Sequence, residues 1–289
     1  MSDPLSGLLA ALDLTDTGAR TSEDIFTGPS QWMPHGRVFG GQVLAQSLVA
    51  AQRTIEAERT VHSMHGYFLR PGQVDKPITF SVDRIHDGRS FSTRRTQAYQ
   101  DGVPILSAIL SFQDHDEGLE HQIDMPTGLP EPESLPSVAD HLAEIDHAVA
   151  RFWATERPFD MRHIDSPVYL SVEGDHVAHQ AIWIKAVGPM PDDENLHRAA
   201  LAYASDYTIL EPILRRHGVP WVTRGLKAAS LDHAMWWHRF GRVDEWLLYV
   251  QESPTAIGGR GLSFGRIYRR DGALVASVAQ EGMVRVPRS

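Results

Sequence analysis

The chain has 289 residues, 42% of them hydrophobic and 22% charged, which is apolar material for one large domain or two of ordinary size. A formal net charge of −10 argues against a nucleic-acid partner, because phosphate binding draws on a basic surface. The lack of any cysteine excludes disulfides, thiolate metal sites and cysteine nucleophiles.

The opening MSDPLSGLLAALDLTD carries no basic n-region, and no apolar run approaches the roughly 18 residues of a membrane helix. The expectation is a soluble, cytoplasmic protein without membrane insertion. A short strand-like run, EDIFTGPSQW, leads to a long helix predicted over GGQVLAQSLVAAQRTI. The Gly40-Gly41 pair at its start would let a ligand approach the backbone, and the helix N-terminus offers free N–H groups to an oxyanion; a turn explains the pair equally well. A train of strands and turns follows.

Residues 113 to 137 are acidic, carry four prolines and lack apolar periodicity, a linker signature that divides the chain near its middle. Beyond it Val138, Leu142, Ile145, Val149 and Phe152 predict one amphipathic helix. The second half repeats the order of the first: a strand over HQAIWIKAVG, a helix over NLHRAALAYASDYTILEPILRRHG, and a second train of strands. An offset of 170 superposes the two trains without a gap, placing Gly88 on Gly258, Asp101-Gly102 on Asp271-Gly272 and Ser107 on Ser277. Asp-Gly is a strong hairpin signal, so its coincidence suggests a duplicated α+β unit. One helix followed by a meander should wrap an antiparallel sheet around that helix, and two such units can join edge to edge. That architecture is a double hot dog. The expected domains are 1–115, a connector with a helix over 116–165, and 166–289.

Within the second helix, predicted over 195–217, Leu196, Ala200, Tyr203, Leu210 and Leu214 form an apolar stripe, and Asp206 falls on it. A carboxylate there is costly unless it is hydrogen bonded or has work to do. The run AASLDHAMWWHRF has no interior Pro or Gly and is expected to be one strand, with Ser230, Asp232, Ala234, Trp236 and His238 on one face. Leu231, His233, Met235 and Trp237 then share the other. His233 and His238 cannot serve one metal from opposite faces, nor can His62 and His65, so no metal site is expected. Near the C-terminus Leu274, Ala276, Val278 and Gln280 share a face, which leaves the Gln280 amide in want of partners.

Two features are set aside. GLSFG (261–265) matches the nucleophile elbow G-x-S-x-G, but a strand, a turn and a strand follow Ser263 where a helix is required, and no histidine lies beyond it. The arginines at 94, 95, 260, 266, 269 and 270 are taken as solvated strand residues rather than an anion site.

VFGGQVLAQSL, VHSMHGYFLRPG, DGRSFSTRR, YASDYTIL, LDHAMWWHR, DEWLLY and LVASVAQEG, in this order, resemble the acyl-CoA thioesterase II (TesB-like) family across nearly the whole chain, most weakly over the proline-rich segment and about 140–178. The resemblance implies a double hot-dog enzyme of fatty acid metabolism that hydrolyses acyl-CoA to free fatty acid and CoA, needs no cofactor, and assembles as a homo-oligomer. It implies a catalytic set of Asp206 from YASD, Ser230 from the strand entering LDH, and Gln280 from VAQEG, with serine where the family also uses threonine. Two other readings are carried: a hot-dog enoyl-CoA hydratase, which needs a histidine paired with its carboxylate, and a non-catalytic acyl-CoA-binding module.

Overall fold

Two buried helices set the layout. In the computed structural model, which describes residues 3–17, 23–56, 58–142 and 145–287, α1 (Pro4–Leu12), β1 (Thr15–Asp16) and β2 (Asp24–Gly28) precede α2 (Gly40–Gln52), and β3 (Thr60–Phe68), β4 (Ile78–Asp87), β5 (Phe91–Gln100) and β6 (Val103–Gln113) complete the first half. Then come α3 (Val138–Leu142), α4 (Ala148–Thr155), β7 (Phe159–His163), β8 (His179–Ala186), α5 (Glu194–Ser205) and α6 (Glu211–Arg216). Last are β9 (Lys227–Ser230), β10 (Asp232–Trp237), β11 (Leu247–Ile257), β12 (Arg260–Arg269) and β13 (Leu274–Arg285). Residues Gly41 to Leu48 of α2 are buried on every side, as a helix enclosed by a sheet must be.

All the strands form one antiparallel sheet in the order β1-β2-β4-β5-β6-β3-β10-β13-β12-β11-β8-β7, with β9 also on β13. The order β2-β4-β5-β6-β3 in the first half recurs as β8-β11-β12-β13-β10 in the second. The halves meet where β3 pairs with β10, Met64 facing Met235 and Gly66 facing His233, so two edges that would stand open are consumed in one ladder. The expected double hot dog is present, with α2 and α5 packed against each other inside it. One apolar core spans both units, from Leu44, Phe80 and Leu106 to Tyr203, Leu247 and Val278.

The gapless offset of 170 holds for the last strands of each half but not for the helices, since α2 begins at Gly40 and α5 at Glu194. The difference is an insertion after the second helix: residues 53–59 connect α2 to β3, whereas residues 206–226, including α6, connect α5 to β9. Three sequence expectations are corrected here. The helix predicted over 195–217 breaks at Asp206, which has left the hydrogen-bonded run with φ −87° and ψ −8°. The helix predicted over 138–152 is two short ones, α3 and α4. The proline-rich stretch is no loose tether, for it crosses the outer face of the second-half sheet. Gln122 bonds both Gly272 O (2.8 Å) and Leu274 N (3.0 Å), the Trp183 indole donates to Pro130 O at 3.0 Å, and Arg270 is clamped by Glu131 and Glu133. Met125, Leu129 and Leu135 cover Trp183, Trp246 and Tyr268 there. The end of the expected connector also supplies β7 as an edge strand on β8.

Candidate active site

The run around LDH departs from simple alternation, and the departure builds the site. Ser230 pairs with Gly282 and Ala229 with Met283, but Ala234 pairs with Ala279 and Met235 with Val278. One residue, Leu231, is therefore extra: a bulge between β9 and β10. It puts Ser230 on the same face as His233, where unbroken alternation places Ser230 with Asp232. Asp232 turns away and accepts from the Glu281 amide at 2.8 Å.

Asp206, Ser230 and Gln280 are brought together from three elements. Ser230 Oγ donates to Asp206 Oδ1 at 3.0 Å, and the two hydrogens of Gln280 Nε2 reach Asp206 Oδ1 and Ser230 Oγ, each at 2.9 Å. The backbone N–H of Gly41, in the first turn of α2, also bonds the carboxylate. A side chain at Gly40 would bring its Cβ to 2.6 Å from Asp206 Oδ2, so the glycine gives the carboxylate its approach to the helix start. The break in α5 is pinned by Tyr249, whose hydroxyl donates to Ser205 O at 3.0 Å. The Tyr249 ring lies over Gly265, where a Cβ would come within 2.3 Å of it. That is the use of the second glycine of GLSFG. Ser263 itself lies within β12, buried and opposite Gln280 in the ladder, with strand on both sides of it.

Burial pushes the Asp206 carboxyl above its ordinary value, while the nearby His233 and the hydrogen bonds from Gln280, Ser230 and Gly41 pull the other way without cancelling it. Burial likewise pushes the Tyr207 phenol up to about 12, against the pull of Arg157, and the Tyr203 phenol well above its usual range. Both stay protonated, which leaves Asp206 as the group able to take a proton here. Phe39 stacks on Tyr207 (centroids 4.6 Å) and meets Tyr203 edge-on at 5.1 Å, so the wall beside the carboxylate is aromatic. Ser230 and Asp206 are half-buried, open on one side, whereas Gln280 and His233 are fully enclosed.

Sequence reasoning missed His233 as a member of this group. Its Nδ1 bonds Gln280 Oε1, and its Nε2 lies 3.0 Å from Ser205 Oγ. No single-strand pattern reveals a bulge, and without the bulge His233 falls on the wrong face. The arginines set aside earlier do not gather. Arg95, Arg260, Arg266, Arg269 and Arg270 each meet a carboxylate, and Arg94, expected to be solvated, is buried against Thr54, Asp87 and backbone carbonyls. Among the described residues no three His, Asp or Glu side chains come together as metal ligands. A cavity of about 730 Å³, lined in part by Leu9, Leu12, Leu48, Ile55 and Leu196, lies at the opposite end of the α2/α5 pair and does not include Asp206.

The family model described as acyl-CoA thioesterase matches residues 154–283, and that of the acyl-CoA thioesterase N-terminal domain matches residues 28–113. The chain is 37% identical to acyl-CoA thioesterase 2 of Haemophilus influenzae, with 99% of each chain covered. This chain belongs to the acyl-CoA thioesterase family. It is also 38% identical to human acyl-coenzyme A thioesterase 8, over 91% of this chain and 85% of that one. Among solved structures, acyl-CoA thioesterase II TesB2 from Mycobacterium marinum aligns with a TM-score of 0.76 at 40% identity, covering 97% of this chain and 98% of the other. The two family matches fall on the two halves of the sheet, and Asp206, Ser230 and Gln280 all lie in the second.

Proposed function

We propose that the chain hydrolyses fatty acyl-CoA thioesters to free fatty acid and CoA, with Asp206 as general base and water as nucleophile. The observation that carries this reading is the Asp206–Ser230–Gln280 triangle in a member of this family. Ser230 and Gln280 both bind Oδ1, which leaves Oδ2 to accept a proton from a water, and the second acceptor site on Ser230 Oγ fixes that water's other hydrogen. Its oxygen then attacks the thioester carbonyl as its proton passes to Asp206. The resulting tetrahedral oxyanion is assigned to the start of α2, where the helix dipole favours negative charge. Collapse breaks the C–S bond, and the proton held by Asp206 neutralises the departing thiolate.

The competing readings are less well supported. A hydratase needs a histidine that reaches substrate, but His233 is fully enclosed with both ring nitrogens engaged. A binding module has no use for a carboxylate kept at the cost of burial. Single turnover in H₂¹⁸O tests the route: with water attack the first acid released carries one ¹⁸O, whereas ¹⁶O acid in the first turnover means that Asp206 itself attacked and contradicts the proposal.

We also propose a homo-oligomer, a cytoplasmic location and the domain division 1–115, 116–165 and 166–289. Among the described residues no helix is long and apolar enough to cross a membrane. Size-exclusion chromatography and cell fractionation check the first two.

A further inference from the structure

We infer that His233 is a positioning residue for this reaction: its Nδ1–H fixes the Gln280 amide so that both Nε2 hydrogens face Asp206 and Ser230. The inference rests on the hydrolytic reading above. An amide has the same shape when its oxygen and nitrogen are exchanged, so packing alone does not choose between the two orientations. In the flipped orientation Oε1 would confront the Asp206 carboxylate, and the hydrogen bonds to Asp206 Oδ1 and Ser230 Oγ, both 2.9 Å, would be lost. What selects the working orientation is a donor aimed at Oε1, and that donor is His233 Nδ1.

The ring is itself held at both ends. Nε2 lies 3.0 Å from the hydroxyl of Ser205, which in turn lies 2.9 Å from Ala202 O, and the Ser205 carbonyl is gripped by Tyr249. Because Ser205 immediately precedes Asp206, one short chain of hydrogen bonds ties the helix end that carries the base to the strand that carries Gln280. Burial drives the imidazole below its ordinary value, with Asp206 and Gln280 acting the other way. A neutral ring bonded through Nδ1–H to an acceptor must be the Nδ1 tautomer, which leaves Nε2 to accept the single hydroxyl hydrogen of Ser205 in place of Ala202 O.

The fold does not require a polar pair at this place. In the first half the equivalent cross-strand pair is Met64 opposite Leu110, both fully buried. His233 and Gln280 occupy that position only in the half that carries the carboxylate, and the bulge at Leu231 is what brings Ser230 to the same face.

The test uses the full chain and free-thiol release from acyl-CoA by His233→Asn, His233→Gln and His233→Leu, with Asp206→Asn alongside and melting temperatures for all. The Asn amide nitrogen falls where Nδ1 stood, so His233→Asn should stay within about tenfold of wild type. Gln and Leu supply no donor there and should lose about 10²-fold in kcat with KM little changed, the scale expected when a reacting group is misplaced. Wild-type kcat in His233→Leu and His233→Gln, or an Asn variant as impaired as Leu at an unchanged melting temperature, overturns the inference. Activity in Asp206→Asn would instead overturn the hydrolytic reading. The ¹⁵N spectrum of the wild-type histidines gives an answer even if the variants misfold: protonated Nδ1 at His233 is expected, and protonated Nε2 overturns the assignment.

Discussion

At Asp206 burial works against charge, and the hydrogen bonds from Gln280, Ser230 and Gly41 together with His233 oppose it without cancelling it. Its pKa is raised in the folded state, so the stability it contributes is fully present below the unfolded value and is lost as pH rises through the folded one. Above that folded value the ionised carboxylate is therefore a cost. Asp206→Asn should raise the melting temperature measured by calorimetry at pH 7 while lowering turnover about 10²- to 10⁴-fold, the range of a lost general base. For the same reason the acid limb of kcat against pH should lie above the ordinary aspartate range. Of the proposed catalytic set, Asp206 was legible from periodicity as a carboxylate on an apolar stripe, and Gln280 as an amide ending an apolar face. Ser230 came from the motif resemblance. His233 was not legible, because the parity of a strand read from sequence carries no sign of the one-residue bulge at Leu231.

Among the elements, α6 repeats the theme of buried charge with the opposite balance. Burial pushes the Glu211 carboxyl up, but hydrogen bonds from His163 Nε2 (3.1 Å), Gln180 Nε2 (3.0 Å) and Trp221 Nε1 (3.1 Å) outweigh it and hold the group below its ordinary range. Its stabilisation is present above the unfolded pKa and lost as pH falls through the folded one. Glu211→Ala strands the His163 and Trp221 donors, Gln180 keeping Gln251 Oε1, and a loss of about 3–5 kcal/mol by denaturant titration is expected, as for a buried pair deprived of one partner. Since α6 follows Asp206 by a few residues, that loss should be accompanied by reduced turnover. The sequence pattern merged α5 and α6 because Leu210 and Leu214 continue the apolar stripe of α5. Two things interrupt the helix: Pro212, in the first turn of α6, has no N–H to give the Thr208 carbonyl and was legible in the sequence, whereas Tyr249 bonds the Ser205 carbonyl, which periodicity does not see. The two-helix form of 138–155 was hidden because Val138, Leu142, Val149 and Phe152 keep one apolar spacing across both helices.

Over the whole molecule, duplication explains why a single site is expected per chain. In the ladder the first half offers Val61, opposite Phe112, where the second has Ser230 opposite Gly282, and Leu110 where it has Gln280, so it keeps the architecture without the chemistry. The repeat and the antiparallel layout were legible because hairpin turns and strand lengths are local properties. The path of the proline-rich segment was not, since its composition records only the absence of regular structure while its place on the sheet depends on Gln122, Arg270 and the tryptophans it covers. Residues 115–121 are exposed before that strap docks. Brief proteolysis should cut there, yet the nicked halves should elute together on size exclusion, because the β3–β10 ladder and the α2–α5 packing join them. Separation without denaturant would mean that the two halves are not one folded unit.

The most direct test of the catalytic assignment is free-thiol release from a saturating acyl-CoA by Asp206→Asn, beside wild type at the same pH. A correctly folded variant with turnover reduced at least about 10²-fold is the predicted result. Turnover within a few-fold of wild type would contradict Asp206 as the base.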